Sequence, residues 1–177
     1  MYTYSEDKGQ VCSINGHYAE DLFVKTYNDK FGNKPIKTSV DEDRYKHQDY
    51  KFVWNNTNVT CDVKYPKKVS RQDTTFSSEY LWVEYITKGY PGWLFGEQDY
   101  LAFLMPDLNT FKLVKRDELF NICSSLVNIY DHVYDTSQAL YKIYRRSNRF
   151  GYKDDMLSLI KYSDLDKCPS NITFTIN

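Results

Sequence analysis

Residues 49–65 read DYKFVWNNTNVTCDVKY. β-Branched and aromatic residues fill 49–54 and 59–65, and the polar tetrad NNTN between them is turn-forming. The spacing predicts a β-hairpin whose second strand stops at Pro66. Side chains alternate faces along a strand, so Val59, Cys61, Val63 and Tyr65 point one way and Thr60, Asp62 and Lys64 the other. Asp62 and Lys64 thereby share a surface. Asp49 opens the neighbouring strand, 62 − 49 = 13 residues away, and the hairpin folds it back toward Asp62.

Upstream, SING at 13–16 reads as a turn. A helix follows, in which Ala19, Leu22, Phe23, Thr26, Tyr27 and Phe31 recur at helical spacing, and Gly32 ends it. Residues 33–46 are polar and read as irregular, with Pro35 and the acidic run Asp41, Glu42, Asp43. Downstream, a basic loop (67–75) leads to EYLWVEYI at 79–86, the strongest strand signal in the chain. GYPGWLFG (89–96) is a structured loop, and 99–105 with 111–115 forms a second hairpin around PDLNT. Residues 117–130 read as a helix with Leu119, Phe120, Cys123, Leu126, Val127 and Tyr130 on one face. A shorter helix is expected around 136–146 and a last strand over 155–162. This order predicts an α/β chain (α+β by some definitions): a central mixed β-sheet flanked by helices. The 177 residues are about one domain's worth, with a core over 17–115 and C-terminal helices and a final strand over 116–177 packed on it.

Hydrophobic residues make up 41% of the chain and aromatics 17%, enough to fill such a core, which excludes disordered, collagen-like and disulfide-scaffold classes. With 17 Tyr and 10 Phe, the chain packs largely through rings. The net charge of −1 gives no global field for nucleic acid, so polyanion binding requires a local patch, and a DNA-mimic inhibitor is excluded. Cys12, Cys61, Cys123 and Cys168 are scattered without C-x-x-C spacing, which argues against a zinc knuckle. The polar start MYTYSEDKGQ has no apolar signal core, so the expectation is reduced thiols in a cytoplasmic protein. No run approaches the roughly 20 apolar residues of a membrane helix, and no membrane partner is expected.

The chemistry lies in Asp49, Asp62 and Lys64. Two carboxylates bind Mg²⁺ or Mn²⁺, hard ions that want oxygen ligands. Such an ion lowers the pKa of a bound water, and the ammonium offsets charge on a pentavalent phosphorus transition state. Acid-x-Lys occurs three times, at Glu6/Lys8, Asp49/Lys51 and Asp62/Lys64, and only the last lies in a β pattern with a second acid one strand upstream. The alternative is a surface ion pair on a solvated sheet face.

Asp49 … Asp62-Val63-Lys64 in this strand context resembles the PD-(D/E)xK nuclease superfamily, which includes restriction endonucleases, Holliday-junction resolvases and mismatch-repair nickases. Members often carry a Glu on the first helix that faces the site, and Glu20 matches it. WVEY … GWLFGEQDYLAF (82–103) is similar to a pattern in small bacteriophage-encoded members. The resemblance covers about residues 17–115. Gln48 stands where the motif's Pro would precede Asp49. The resemblance implies a restriction endonuclease-like core and a Mg²⁺- or Mn²⁺-dependent endonuclease hydrolysing DNA, including branched or phage replication DNA, in the host cytoplasm. In that reading Asp49, Asp62 and the Val63 carbonyl hold the metal, Lys64 positions the water, and Glu20 assists through the metal's water shell. Many relatives act as homodimers.

Glu84 is expected either as a further metal ligand or as the partner of Lys64, provided its strand lies beside 59–65. Asp99 reads as a brace for the Gly-Trp loop, Trp93 as a packing anchor and His47 as incidental. Nucleic acid would meet two basic patches: Lys67, Lys68 and Arg71 after the second strand, and Arg145, Arg146 and Arg149 among rings in 142–153, a stretch without an acid. The bland reading of such runs is solvated charge. Two rivals stand beside the nuclease: a non-catalytic member of the same fold that binds nucleic acid or a host protein, and an unrelated α+β protein whose ring-rich surface docks a partner.

Overall fold

The computed structural model describes residues 6–146 and 154–176, with side chains from residue 14 onward. In chain order the elements are α1 (Glu6–Phe31), β1 (Ile36–Lys37), α2 (Val40–Lys46), β2 (Tyr50–Trp54), β3 (Thr57–Lys64), β4 (Tyr80–Thr87), β5 (Tyr90–Pro91), β6 (Tyr100–Met105), β7 (Thr110–Lys115), α3 (Arg116–Leu126), β8 (Asn128–Val133), β9 (Lys142–Arg146), β10 (Asp155–Lys161) and β11 (Ile172–Thr175). The architecture is α+β, with two mixed sheets flanked by helices where one central sheet was expected. The first runs β1-β2-β3-β6-β7-β11 and the second β5-β4-β10-β9-β8.

The β2–β3 hairpin forms as the sequence predicts, with Tyr50 opposite Cys61 and Trp54 opposite Thr57. Its turn is tighter than the NNTN tetrad. Only Asn55 (φ 47°) and Asn56 (φ 61°) leave the strands, both left-handed, which is the two-residue turn that asparagine favours. β3 then pairs in parallel with β6, Asp62 beside Leu101 and Lys64 beside Phe103.

That pairing decides where each face of β3 looks. On one face, Cys61 and Val63 join Tyr50, Phe52, Ala102, Phe111 and Phe174 under Ala19, Phe23 and Tyr27 of α1. On the other, Leu101, Phe103 and Val114 pack against Leu81 and Val83 of β4, Ile160 of β10, Trp93, Leu94, and Leu119 and Cys123 of α3. Asp62 and Lys64 share this second face. They therefore look into the layer between the sheets, not toward α1 and not into solvent.

Several elements depart from their sequence signals. SING (13–16) lies inside α1, because helix propagation carries through one glycine at a cost of only about 1 kcal/mol. Residues 33–46 hold β1 and α2. Ser39 accepts from Glu42 N while Glu42 caps the Ser39 backbone, a capping box that starts α2. The helix expected over 117–130 stops at Leu126, and 128–133 becomes β8, so Tyr130 is exposed rather than packed. The helix expected at 136–146 is a 3-10 turn followed by β9, whose Ile143 and Tyr144 suit a strand. The strand at 155–161 is not the last, since β11 pairs with β7. The strand carrying Glu84 does not lie beside β3; it belongs to the second sheet. Among the described residues no helix is long and apolar enough to cross a membrane.

The Gly-Trp loop has a steric reason for its glycine. A Cβ at Gly92 would sit 2.2 Å from the Glu84 carbonyl oxygen, closer than any side chain tolerates. Gly92→Ala is expected to push this loop off β4 and destabilise the protein by about 1–3 kcal/mol, read as a lower melting temperature.

Candidate active site

Asp49, at the start of β2, is buried, and its Oδ2 accepts from Val63 N at 2.7 Å. Its N–H donates to Cys61 O at 2.8 Å. These two bonds lock the carboxylate across the hairpin, within hydrogen-bonding reach of Asp62. Asp62 is 3% exposed. Lys64 Nζ lies 2.6 Å from Asp62 Oδ2, a close contact of opposite charges that lacks hydrogen-bond alignment. Burial pushes the Asp62 carboxyl well above the ordinary carboxylate range; Asp49 adds to the rise and Lys64 opposes it. A proton shared between the two carboxylates, or a cation in its place, satisfies this arrangement.

Lys64 stays charged. Burial alone would lower its pKa, but Asp62, Glu84 and Asp49 hold it above the usual value. Its ammonium also sits 5.6 Å from the Trp93 ring centroid, a cation–π contact, so the packing anchor read from sequence also positions the lysine. The alternative, a solvated surface pair, is not what forms: the pair is buried, with the Asp62 and Lys64 side chains 5% and 22% exposed.

Glu84 reaches this lysine from the second sheet, through the layer between sheets. Lys67 pairs with it at 2.6 Å and Thr87 Oγ1 donates to it at 3.3 Å. Burial raises its pKa, yet Lys67 and Lys64 outweigh that and hold the carboxyl down at about 2. A depressed carboxyl adds stability above its unfolded pKa, and that stability disappears as pH falls through the folded value. Acid unfolding of wild type should therefore lose a contribution between about pH 4.5 and 2 that Glu84→Gln lacks, measurable as a flatter stability profile over that window.

Glu20 is brought near but on the other side. It is ion-paired to Lys37, whose ammonium lies 4.8 Å from the Tyr50 ring centroid on the α1 face. Lys37 in turn faces Asp49, one of the charges that raise its own pKa against the lowering effect of burial. Glu20 is thus linked to Asp49 through Lys37. The sequence reading also missed Asp43. It lies on α2 within hydrogen-bonding reach of Asp49, and its pKa is raised by burial first and Asp49 second. The signal was present: Ser39-x-x-Glu42 is a helix start, which puts Asp43 on the first turn of a helix aimed at β2. His47 closes that helix in a left-handed conformation, its pKa pushed down by burial and by Lys64.

The remaining sequence candidates scatter. Asp99 does not brace the Gly-Trp loop; it accepts from Thr60 N (2.8 Å) and Oγ1 (3.0 Å), tying β6 to β3. Lys68 and Arg71 are exposed beyond Lys67. Arg145 and Arg146 meet acids that their stretch of sequence lacks: Arg145 lies 3.5 Å from Asp154 and Arg146 2.6 Å from Asp155. Ladder pairing of β9 with β10 thus turns an apparent basic patch into ion pairs. Arg149 lies outside the described residues. Among the described residues, no three His, Cys, Asp or Glu side chains are gathered tightly enough to hold a metal ion by themselves. In comparisons with known proteins the chain matches no family model, no curated protein and no solved structure.

Proposed function

We propose that the protein is a metal-dependent endonuclease acting on DNA, with a restriction endonuclease-like core as its catalytic framework. The observation that carries this is the buried meeting of Asp49 with Asp62, and of Asp62 with Lys64 at the next position on the same face of its strand. The family resemblance rests on the residues alone. A divalent ion fits the donor set: Asp62 and Asp49 are adjacent buried carboxylates, and Asp62 Oδ2 faces the Lys64 ammonium at 2.6 Å without hydrogen-bond alignment. Asp49 and Asp62 would hold the ion, with the Val63 carbonyl beside them and water or phosphate oxygens completing the shell, as Mg²⁺ prefers. When bound, the metal supplies an activated water and neutralises phosphate charge.

The chain's own groups do the rest. Val63 N–H fixes the Asp49 carboxylate. Lys64, held by Trp93 below and by the Glu84–Lys67 pair beside it, presents an ammonium to the phosphate and to the attacking water. Lys37 and Asp43 set the charge around Asp49 from outside. Exposed Lys68 and Arg71, beyond the Lys67–Glu84 pair, supply a local basic approach for a polyanion on a chain of near-neutral net charge.

A non-catalytic reading is favoured by one observation, the ion pair that already fills the space beside Asp62. The experiment that separates the two is nicking of supercoiled plasmid and branched DNA by purified protein with Mg²⁺ or Mn²⁺. Cleavage is expected with metal and not with chelator, and Asp49→Asn should reduce it at least 100-fold while keeping the melting temperature. Equal cleavage by Asp49→Asn, or none by wild type with either metal, overturns the proposal.

A further inference from the structure

A second site lies away from the buried acids. At the open end of the first sheet, where the β2–β3 turn overhangs the start of β6 and the end of β7, a cleft of about 450 Å³ is lined by Trp54, Asn55, Thr57, Tyr100, Lys115 and Arg116 among others. That is within the size range of small-ligand pockets. Glu97, Asp99 and Asp117 also border it; Glu97 is paired with a lysine, while the other two are fixed by hydrogen bonds that leave their charge in place. Glu97 pairs with Lys46 at 3.0 Å, Asp99 accepts from Thr60, and Asp117 accepts from Glu118 N at 2.9 Å. Lys115 and Arg116 form no ion pair among the described residues, and Arg116 Nε has no hydrogen-bond acceptor. The cleft therefore joins two cations that form no ion pair to a hydrogen-bonding turn and to the half-buried Trp54 ring, which meets the Phe31 ring edge-on at 5.4 Å.

We infer that this cleft binds a nucleotide, with the phosphate on Lys115 and Arg116 and the base against Trp54. Cations next to an aromatic ring are the pairing that phosphate and base together require, and an inorganic anion uses only half of it. Thr57 and Asn55 offer polar groups to the sugar and base edge. The inference is independent of the nuclease reading, because it involves no metal and none of Asp49, Asp62 or Lys64.

Trp82 and Trp93 are buried, so a ligand on the cleft is reported by Trp54 emission. Wild-type protein in chelator is titrated with deoxyadenosine monophosphate, deoxyadenosine and inorganic phosphate, by fluorescence and in parallel by calorimetry. Saturable quenching by the monophosphate is expected, at least tenfold tighter than by the nucleoside or by phosphate alone. Lys115→Ala/Arg116→Ala should weaken it at least tenfold with the melting temperature retained, and Trp54→Phe should abolish the optical signal while calorimetry still detects weaker binding. No saturable binding up to 10 mM (about 2.7 kcal/mol, the weak end of any specific site) overturns the inference. So does equal affinity for phosphate and nucleotide, or a charge variant that binds as wild type. Each of these outcomes leaves the plasmid experiment untouched, so the two proposals fail separately.

Discussion

Lys64→Met is expected to destabilise the protein by about 3–5 kcal/mol at pH 7 and to abolish metal-dependent cleavage, whereas Lys64→Met/Asp62→Asn is expected to recover most of that stability and to be equally inactive. The first substitution leaves a buried carboxylate without its cation, the most damaging way to break a buried pair. The second removes both charges, so no unpaired ion is left buried, which is what makes the single change costly. The sign of the pH effect follows from Asp62, whose carboxyl is already raised by burial and by Asp49. A raised carboxyl contributes stability that is fully present below its unfolded pKa and is lost as pH rises through the folded value. Lys64→Met raises it further, so its penalty should shrink as pH falls toward about 3, below the unfolded value of about 3.9, where the acid is mostly neutral in both states. Urea unfolding of the three proteins between pH 3 and 8 checks this. A single variant as stable as wild type at every pH would mean that the pair is hydrated, and the buried site with it would be lost.

The second large effect is in the core. Phe23→Ala should destabilise by about 3–5 kcal/mol. Phe23 is fully buried, and its ring meets those of Tyr27, Tyr50, Phe52, Phe111 and Phe174 at centroid distances of 5.5–6.4 Å. Its ring contacts join α1 to β2, β7 and β11 together. Removing it opens a cavity under the strand that carries Asp49, so a cleavage defect with unchanged metal dependence should accompany the loss of stability. Phe23→Leu, which keeps most of the volume, should recover more than half of both.

The first hairpin, the second hairpin and the helix through Phe31 were legible because each is a local pattern: alternation, a turn and 3.6-residue spacing. The contact of Asp49 with Asp62 was legible for the same reason, since the hairpin that joins them is local. What escaped depends on distant pairing. Ile143 and Tyr144 read as helix until β10 is available as a ladder partner. Glu84 reads as a neighbour of β3, whereas it crosses from another sheet, because nothing local says that β3 leaves β4 and pairs with β6. Arg145 and Arg146 read as free because their acids follow on the next strand. Asp43 was hidden for a different reason: a run of three acids looks like solvated loop unless the Ser39–Glu42 cap is noticed.

The union of β3 with β6 sets an order of events. Asp62 and Leu101 are 101 − 62 = 39 positions apart, while Tyr50 and Cys61 close a far smaller loop. Short hairpins zip in microseconds, and remote parallel ladders must wait for larger loops to close. The paired acids are therefore expected to meet while still bathed in solvent, before Trp93 and β4 cover them. The charge is then sealed in late, and closing that cover, rather than zipping the hairpin, is the slower step.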